Sequence, residues 1–164
     1  MARSIRVSAG PILASLAILA FPVAFYAVGQ ARKDVYAKHT VLLATEAVID
    51  AELLTTVLKD VDRRILPAQV PTPKGFGDSW FEAHGRWYRG IGSFPSGHMI
   101  AAASLATLFA DRYPKLRWHR FLAFGLAGLV GFSRLPLQAR YPSDVFAGAV
   151  LGYSIAHYAV LRLP

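Results

Sequence analysis

The chain contains no cysteine. That excludes disulfides, thiolate metal sites and cysteine nucleophiles, and it leaves the redox compartment open. Charge is scarce as well: Asp, Glu, Lys and Arg make up 17% of the 164 residues, against about a quarter in soluble domains. No basic stripe interleaved with aromatics is present, which argues against nucleic acid as a partner. Neither strand-like alternation nor an internal repeat is found, so the expected class is all-α. What fills the chain is apolar: 54% of residues are hydrophobic, with 18 Lys and Arg against 10 Asp and Glu, a net charge of +8. The length is that of one domain. Such a composition fits a membrane protein or a very helix-rich core. The positive balance is either ordinary loop charge or an attraction to anionic lipids and phosphorylated substrates.

Residues Val7 to Ala31 are uncharged, with Arg3 and Arg6 in front. Twenty-five such residues can cross the roughly 30 Å hydrocarbon layer as a helix. Pro22 would kink it. Two readings stand for residues 1–31: a transmembrane anchor, or a signal peptide cleaved near Gly29-Gln30-Ala31. The length of the run favours the anchor. Arg32, Lys33 and Lys38 balance the charge in front, so charge does not fix the orientation.

A second unit, residues 35–164, reads as a helical domain. Leu43, Ala47, Leu54, Leu58 and Val61 recur at helical spacing from Val35 to about Ile65, and Pro67 ends the run. Leu66 to Gly92 is irregular, with three prolines, five glycines and the aromatics Phe76, Trp80, Phe81, Trp87 and Tyr88. Either a lid or membrane-interface contact or a plain connector fits it. Further helices are expected from Ser96 or Gly97 to about Asp111, from about Arg120 to Phe132, and from Pro142 to Leu161, where proline suits a helix start. Gly125, Gly128 and Gly131, then Gly148 and Gly152, are read as small faces for close helix packing.

Four of these helix termini carry the chemistry. Ser96-Gly97-His98 follows Pro95 and opens a helix, whose first amides and dipole favour an anion. Gly97 allows close approach, Ser96 adds a hydroxyl, and His98 is placed to protonate a leaving oxygen. Ser133-Arg134 ends the next helix, and Arg134 offers a bidentate fork to phosphate. Lys59 adds a point charge late in the Val35–Ile65 helix. In an antiparallel bundle with short turns these termini meet at one pole. Each residue alone has a plain reading: an N-cap for Ser-Gly-His, a surface arginine for Arg134, and dipole compensation for Asp144.

Together they resemble the type-2 phosphatidic acid phosphatase and vanadium haloperoxidase superfamily. Its signature is Lys, six residues, Arg-Pro; then Pro-Ser-Gly-His; then Ser-Arg, five residues, His, three residues, Asp. The chain matches at Lys59 and Pro67, at Pro95 to His98, and at Ser133, Arg134 and Asp144, over about Leu53 to Leu161. The resemblance implies a membrane phosphatase acting on a lipid phosphate, a diphosphate or another phosphate ester, with no metal or other cofactor. It implies that Lys59, Ser96, Gly97 and Arg134 bind phosphate, that His98 is the general acid, and that Asp144 orients the nucleophile. The bundle would follow the apolar N-terminal helix, with its catalytic pole on the periplasmic or outer face.

The chain departs from the pattern twice. Leu66 stands at an arginine position, and Arg64, two residues earlier, is expected to substitute in part. Arg140 stands at the position of the histidine that attacks phosphorus. A guanidinium stays protonated and has no lone pair to offer. Arg140 is expected to pair with Asp144 at the i+4 spacing and to bind phosphate instead. His39, His119 and His157 fall toward the far ends of their helices, His119 at roughly 20 Å from Ser133; His84 or His98 would have to take the nucleophile's place. Two functions therefore stay open: an impaired phosphatase, and a non-catalytic phospholipid-binding or scaffold member of the family. A haloperoxidase is disfavoured, because vanadate there is bonded to the histidine that is missing here.

Overall fold

The computed structural model describes residues 33–69, 92–114 and 117–162, with positions 23, 26, 27 and 30 before them. The expected N-terminal anchor and the aromatic segment after Gln69 lie outside the described residues. Four α-helices carry the fold: α1 (Val35–Asp62), α2 (Gly97–Arg112), α3 (Arg117–Phe132) and α4 (Pro142–Ser154). A short 3-10 turn (Pro67–Gln69) follows α1, and α4 runs on into one π-helical stretch (Ile155–Val160). No strand occurs among the described residues, so the all-α expectation is met.

Local chemistry sets the helix ends. The Asp34 carboxylate accepts from the amides of Tyr36 and Ala37 at 2.9 and 3.1 Å and starts α1. Arg63 closes it in a left-handed conformation, φ 49°, with its N–H bonded to the Lys59 carbonyl. Pro142 sits in the first turn of α4, where a missing N–H costs nothing.

The helices run alternately up and down. Tyr36 at the start of α1 donates its hydroxyl to the Arg112 carbonyl at the end of α2, 2.6 Å away. Arg120 of α3 reaches the Ala110 carbonyl of α2 at 3.4 Å. The central element is α2, which packs on α1, α3 and α4 and is buried nearly all round. Such a helix must be apolar on every face, which explains its run Met99-Ile100-Ala101-Ala102-Ala103. Ala44, Ala47 and Ala51 form the small face that α1 turns to it, all fully buried.

Glycines bring α4 close to α2. A Cβ at Gly152 would stand 2.3 Å from the Ile100 carbonyl oxygen, and one at Gly148 would stand 2.9 Å from that of Ser96. The series on α3 does not behave in the expected way. Gly131 meets Met99 and Val145, but nothing described lies within 4 Å of a Cβ at Gly125 or Gly128. A three-residue step moves around a helix by 300°, so only one of the three faces α2. Phe121, Phe124, Leu129 and Phe132 flank the other two and are exposed. Leu53, Val57 and Val61 on α1 and Phe146 and Val150 on α4 are exposed too. No described helix is long and apolar enough to cross a membrane.

Candidate active site

The end of α1, the start of α2, the end of α3 and the start of α4 meet at one pole. Backbone bonds fix the meeting: Ser93 N–H donates to the Arg64 carbonyl at 2.7 Å, and Ser96 N–H to the Asp144 carbonyl at 3.1 Å. Gly92 lies against Lys59 and Arg64, where an added Cβ would be 3.5 and 3.7 Å from their carbonyl oxygens. The Phe94–Pro95 peptide is cis.

Asp144 is the knot of the pole and is fully buried. One carboxylate oxygen takes Arg64 Nη1 at 2.5 Å. The other accepts the Ser93 hydroxyl, and it also takes the Tyr141 N–H at 3.1 Å in a capping-box arrangement. Arg64 in turn donates to Ser143 Oγ at 3.0 Å and lies 3.8 Å over the Tyr141 ring. A buried charge needs such company, because desolvation alone would cost several kcal/mol per ion. The structure thus places Arg64, expected as a partial substitute among the phosphate ligands, in an internal ion pair that joins the segment just after α1 to α4.

Arg140 does not make the expected pair with Asp144. Its Nη1 donates instead to the Gly92 carbonyl at 2.7 Å. The i+4 rule holds for residues on one helix face, and Arg140 lies in a bend before α4 begins. Asp144 has meanwhile spent both oxygens on Arg64 just after α1, the turn before α2, and its own helix start.

Three cations then face the pole with no carboxylate bonded to them among the described residues. Burial holds the Lys59 ammonium below its ordinary pKa; the nearby Arg140 adds to that, and Glu52 opposes it. Burial lowers Arg140 as well, with Asp144 opposing and Arg134 adding. Burial lowers Arg134, which is only 3% exposed. Its Nε and Nη2 are buried with no hydrogen-bond partner among the described residues, and so is the Ser96 hydroxyl. Native interiors rarely leave such groups unpaired. Orphaned guanidinium donors and an orphaned hydroxyl beside a helix N-terminus form a ready cradle for a tetrahedral oxyanion.

Gly97 and His98 open α2 on this pole, Gly97 buried and His98 half-buried. The other described histidines stand elsewhere. His39 is 3.5 Å from Arg112 and His157 is 3.5 Å from Asp111, both at the opposite end of α2. His119 packs on Trp118 near the start of α3. His84 lies outside the described residues. No group of three His, Asp or Glu side chains among the described residues could share a metal ion.

Sequence reasoning assigns no individual role at the pole to Ser93, Tyr141, Ser143 or Asp62. Asp62 is buried, its Oδ2 has no partner among the described residues, and burial pushes its carboxyl upward, with the Arg64 amide and guanidinium opposing and Asp144 adding. The signal for Ser143 was available, since it precedes Asp144, whose charge needs hydrogen bonds.

Comparison with known proteins gives one family. The profile of the PAP2 superfamily matches residues 39–163, well over half of the chain. A lipid A 1-phosphatase of Rhizobium etli is 30% identical over 105 residues, 64% of this chain and 42% of the relative. A lipid A 4'-phosphatase of Bacteroides thetaiotaomicron is 28% identical over 132 residues, 76% of this chain and 57% of the relative. A lipid A 1-phosphatase of Porphyromonas gingivalis is 36% identical over 61 residues, 37% of this chain and 14% of the relative. The chain thus spans less than two thirds of the curated relatives it matches. No solved structure matches it.

Proposed function

The chain belongs to the PAP2 superfamily, and from that premise we propose that it holds the phosphate group of a phosphorylated lipid at this pole, with hydrolysis impaired at Arg140. The observation that carries the binding half is that Nε and Nη2 of Arg134 and the Ser96 hydroxyl are buried with no partner among the described residues. Both are donors, and Ser96 caps α2, whose first amides favour an anion. Lys59 and Arg140 supply further positive charge, so the cradle suits a dianionic phosphomonoester or a diphosphate.

Arg140 carries the other half. Hydrolysis through a covalent intermediate requires a lone pair on the attacking atom and a later release of the phosphoryl group to water. Burial lowers the Arg140 pKa, yet a guanidinium starts so high that it stays protonated at physiological pH. It can hold a phosphoryl oxygen but cannot bond to phosphorus. His98 keeps the position of a proton donor to a leaving oxygen, and Asp144 serves to hold the pole together.

A lipid is favoured over a soluble ester for two reasons. The relatives bear the names of lipid A phosphatases. Large apolar side chains stand exposed on α1, α3 and α4, among them Leu53, Phe121, Leu129 and Phe146, and contiguous faces of this kind mark membrane or protein contact. We place the protein at a membrane with its pole on the outer, periplasmic side. The test is equilibrium binding of a phosphorylated lipid to the full chain in detergent, with released phosphate followed in parallel. The reading expects saturable binding that Arg134→Ala abolishes, with little or no phosphate release. Rapid turnover by the unaltered chain, or binding indifferent to Arg134→Ala, would refute it.

A further inference from the structure

Five threonines lie in the described helices. Four of them turn their hydroxyl back onto their own helix: Thr40, Thr45, Thr56 and Thr107 each donate to the carbonyl four residues earlier, at 2.8 to 2.9 Å. That bond is the ordinary way a helical threonine satisfies itself in an apolar setting. Thr55 is different. Its Oγ1 is buried and has no partner among the described residues, and the residue is only 2% exposed.

The hydroxyl faces the start of α2. A Cβ built on Gly97 would lie 2.9 Å from Thr55 Cγ2 and 3.3 Å from Thr55 Oγ1. Ser96, whose own hydroxyl also has no partner among the described residues, is the next residue. Lys59 follows Thr55 by one helical turn, so both lie on one face of α1. A buried hydroxyl that forgoes its local bond leaves a desolvation penalty uncompensated in the empty protein. A ligand oxygen over the first amides of α2 would remove that penalty.

We propose that the Thr55 hydroxyl is a further ligand-binding group of the cradle, donating to an oxygen of a tetrahedral oxyanion seated at the α2 N-terminus beside Ser96, Lys59 and Arg134. The inference rests on the phosphate-holding reading of the pole and adds to it a residue outside the signature positions. It also explains why glycine is needed at position 97, since a side chain there would meet the Thr55 methyl.

The test uses the full chain in detergent and inorganic phosphate as the probe, with affinity by calorimetry and stability by thermal unfolding. Thr55→Val keeps the shape and removes the hydroxyl, Thr55→Ala removes it with less bulk, and Thr55→Ser keeps it. A hydrogen bond to a charged oxyanion predicts an affinity loss of about tenfold or more in the valine and alanine variants, with the serine variant close to the unaltered chain. The empty valine variant should unfold no earlier than the unaltered protein, because an orphaned polar group has been replaced by a methyl. Unchanged phosphate affinity in both hydroxyl-free variants would overturn the inference while leaving the cradle intact. Earlier unfolding of empty Thr55→Val with unchanged phosphate affinity would assign the hydroxyl to an internal contact and overturn it too. Failure of the unaltered chain to bind phosphate would refute the cradle itself, a separate and distinguishable outcome.

Discussion

Replacing Arg134 with methionine should stabilise the empty protein and destabilise its phosphate complex. Two guanidinium nitrogens, Nε and Nη2, are buried with no partner among the described residues. A buried unsatisfied polar group costs about 1–3 kcal/mol, more when charged. Methionine keeps most of the aliphatic stem and removes the charge, so part of the packing survives. A net gain of about 2 kcal/mol in the empty state follows, and for a chain of this size roughly 2–4 °C per kcal/mol gives a Tm rise of about 4–8 °C. Phosphate should act in the opposite sense. A ligand at a hundred times its Kd stabilises the folded state by about 2.7 kcal/mol, and that shift should be present in the unaltered protein and absent in the variant. Thermal unfolding in detergent, with and without inorganic phosphate, reads both effects. A variant that unfolds earlier when empty and keeps its phosphate shift would refute the reasoning, because Arg134 would then be a structural arginine.

Other predictions rest on separate features. Gly152→Ala forces a Cβ to 2.3 Å from the Ile100 carbonyl oxygen and 2.8 Å from Ala103 Cβ, so it should cost about 1–3 kcal/mol or more in unfolding experiments. Gly128→Ala meets nothing within 4 Å and should raise stability by about 0.8–1.0 kcal/mol through helix propensity alone; a drop would show that its face is packed in the working protein. Asp144→Asn leaves Arg64 buried without its counter-charge and should destabilise by about 3–5 kcal/mol, as breaking a buried pair does; a change under 1 kcal/mol in denaturant unfolding would show the pair is dispensable. Asp62 has a folded-state pKa above its unfolded value. Its contribution to stability is therefore fully present below the unfolded carboxyl pKa of about 3.9 and is lost as pH rises through the folded value. Asp62→Asn should accordingly gain stability over the unaltered chain near pH 7 and lose that advantage near pH 4; an advantage independent of pH would remove the titration of Asp62 from the account.

Much of the pole was readable in the sequence because each motif sits at a helix terminus. Pro142 and the Ser96-Gly97 step mark helix starts for local steric reasons, and short turns bring such ends together; α1, expected to run to Pro67, ends at Asp62, where Arg63 turns left-handed. Pairing at the pole was harder to read. The expected Arg140–Asp144 pair assumed helical spacing, but Arg140 belongs to the bend before α4 and reaches Gly92 instead. Arg64 was legible as a charge near the site and illegible as the partner of Asp144, because that contact spans 80 residues. Spacing of glycines on α3 gave their number per turn without giving the face that meets α2. Thr55 carried one usable signal, its position a turn before Lys59, but its orphaned hydroxyl emerges only when the neighbouring helix is in place.

Arg140→His tests the central claim most directly, with phosphate release from a phosphorylated lipid compared between the unaltered chain and the variant. Loss of a nucleophile that works as part of a unit commonly costs on the order of 10⁴–10⁶ in rate. The account predicts near-silence in the unaltered chain and a gain of at least about a hundredfold in the variant, removed again when His98→Ala is added. Brisk turnover by the unaltered chain, unimproved by Arg140→His, would contradict it and would mean that the attacking group is not at position 140.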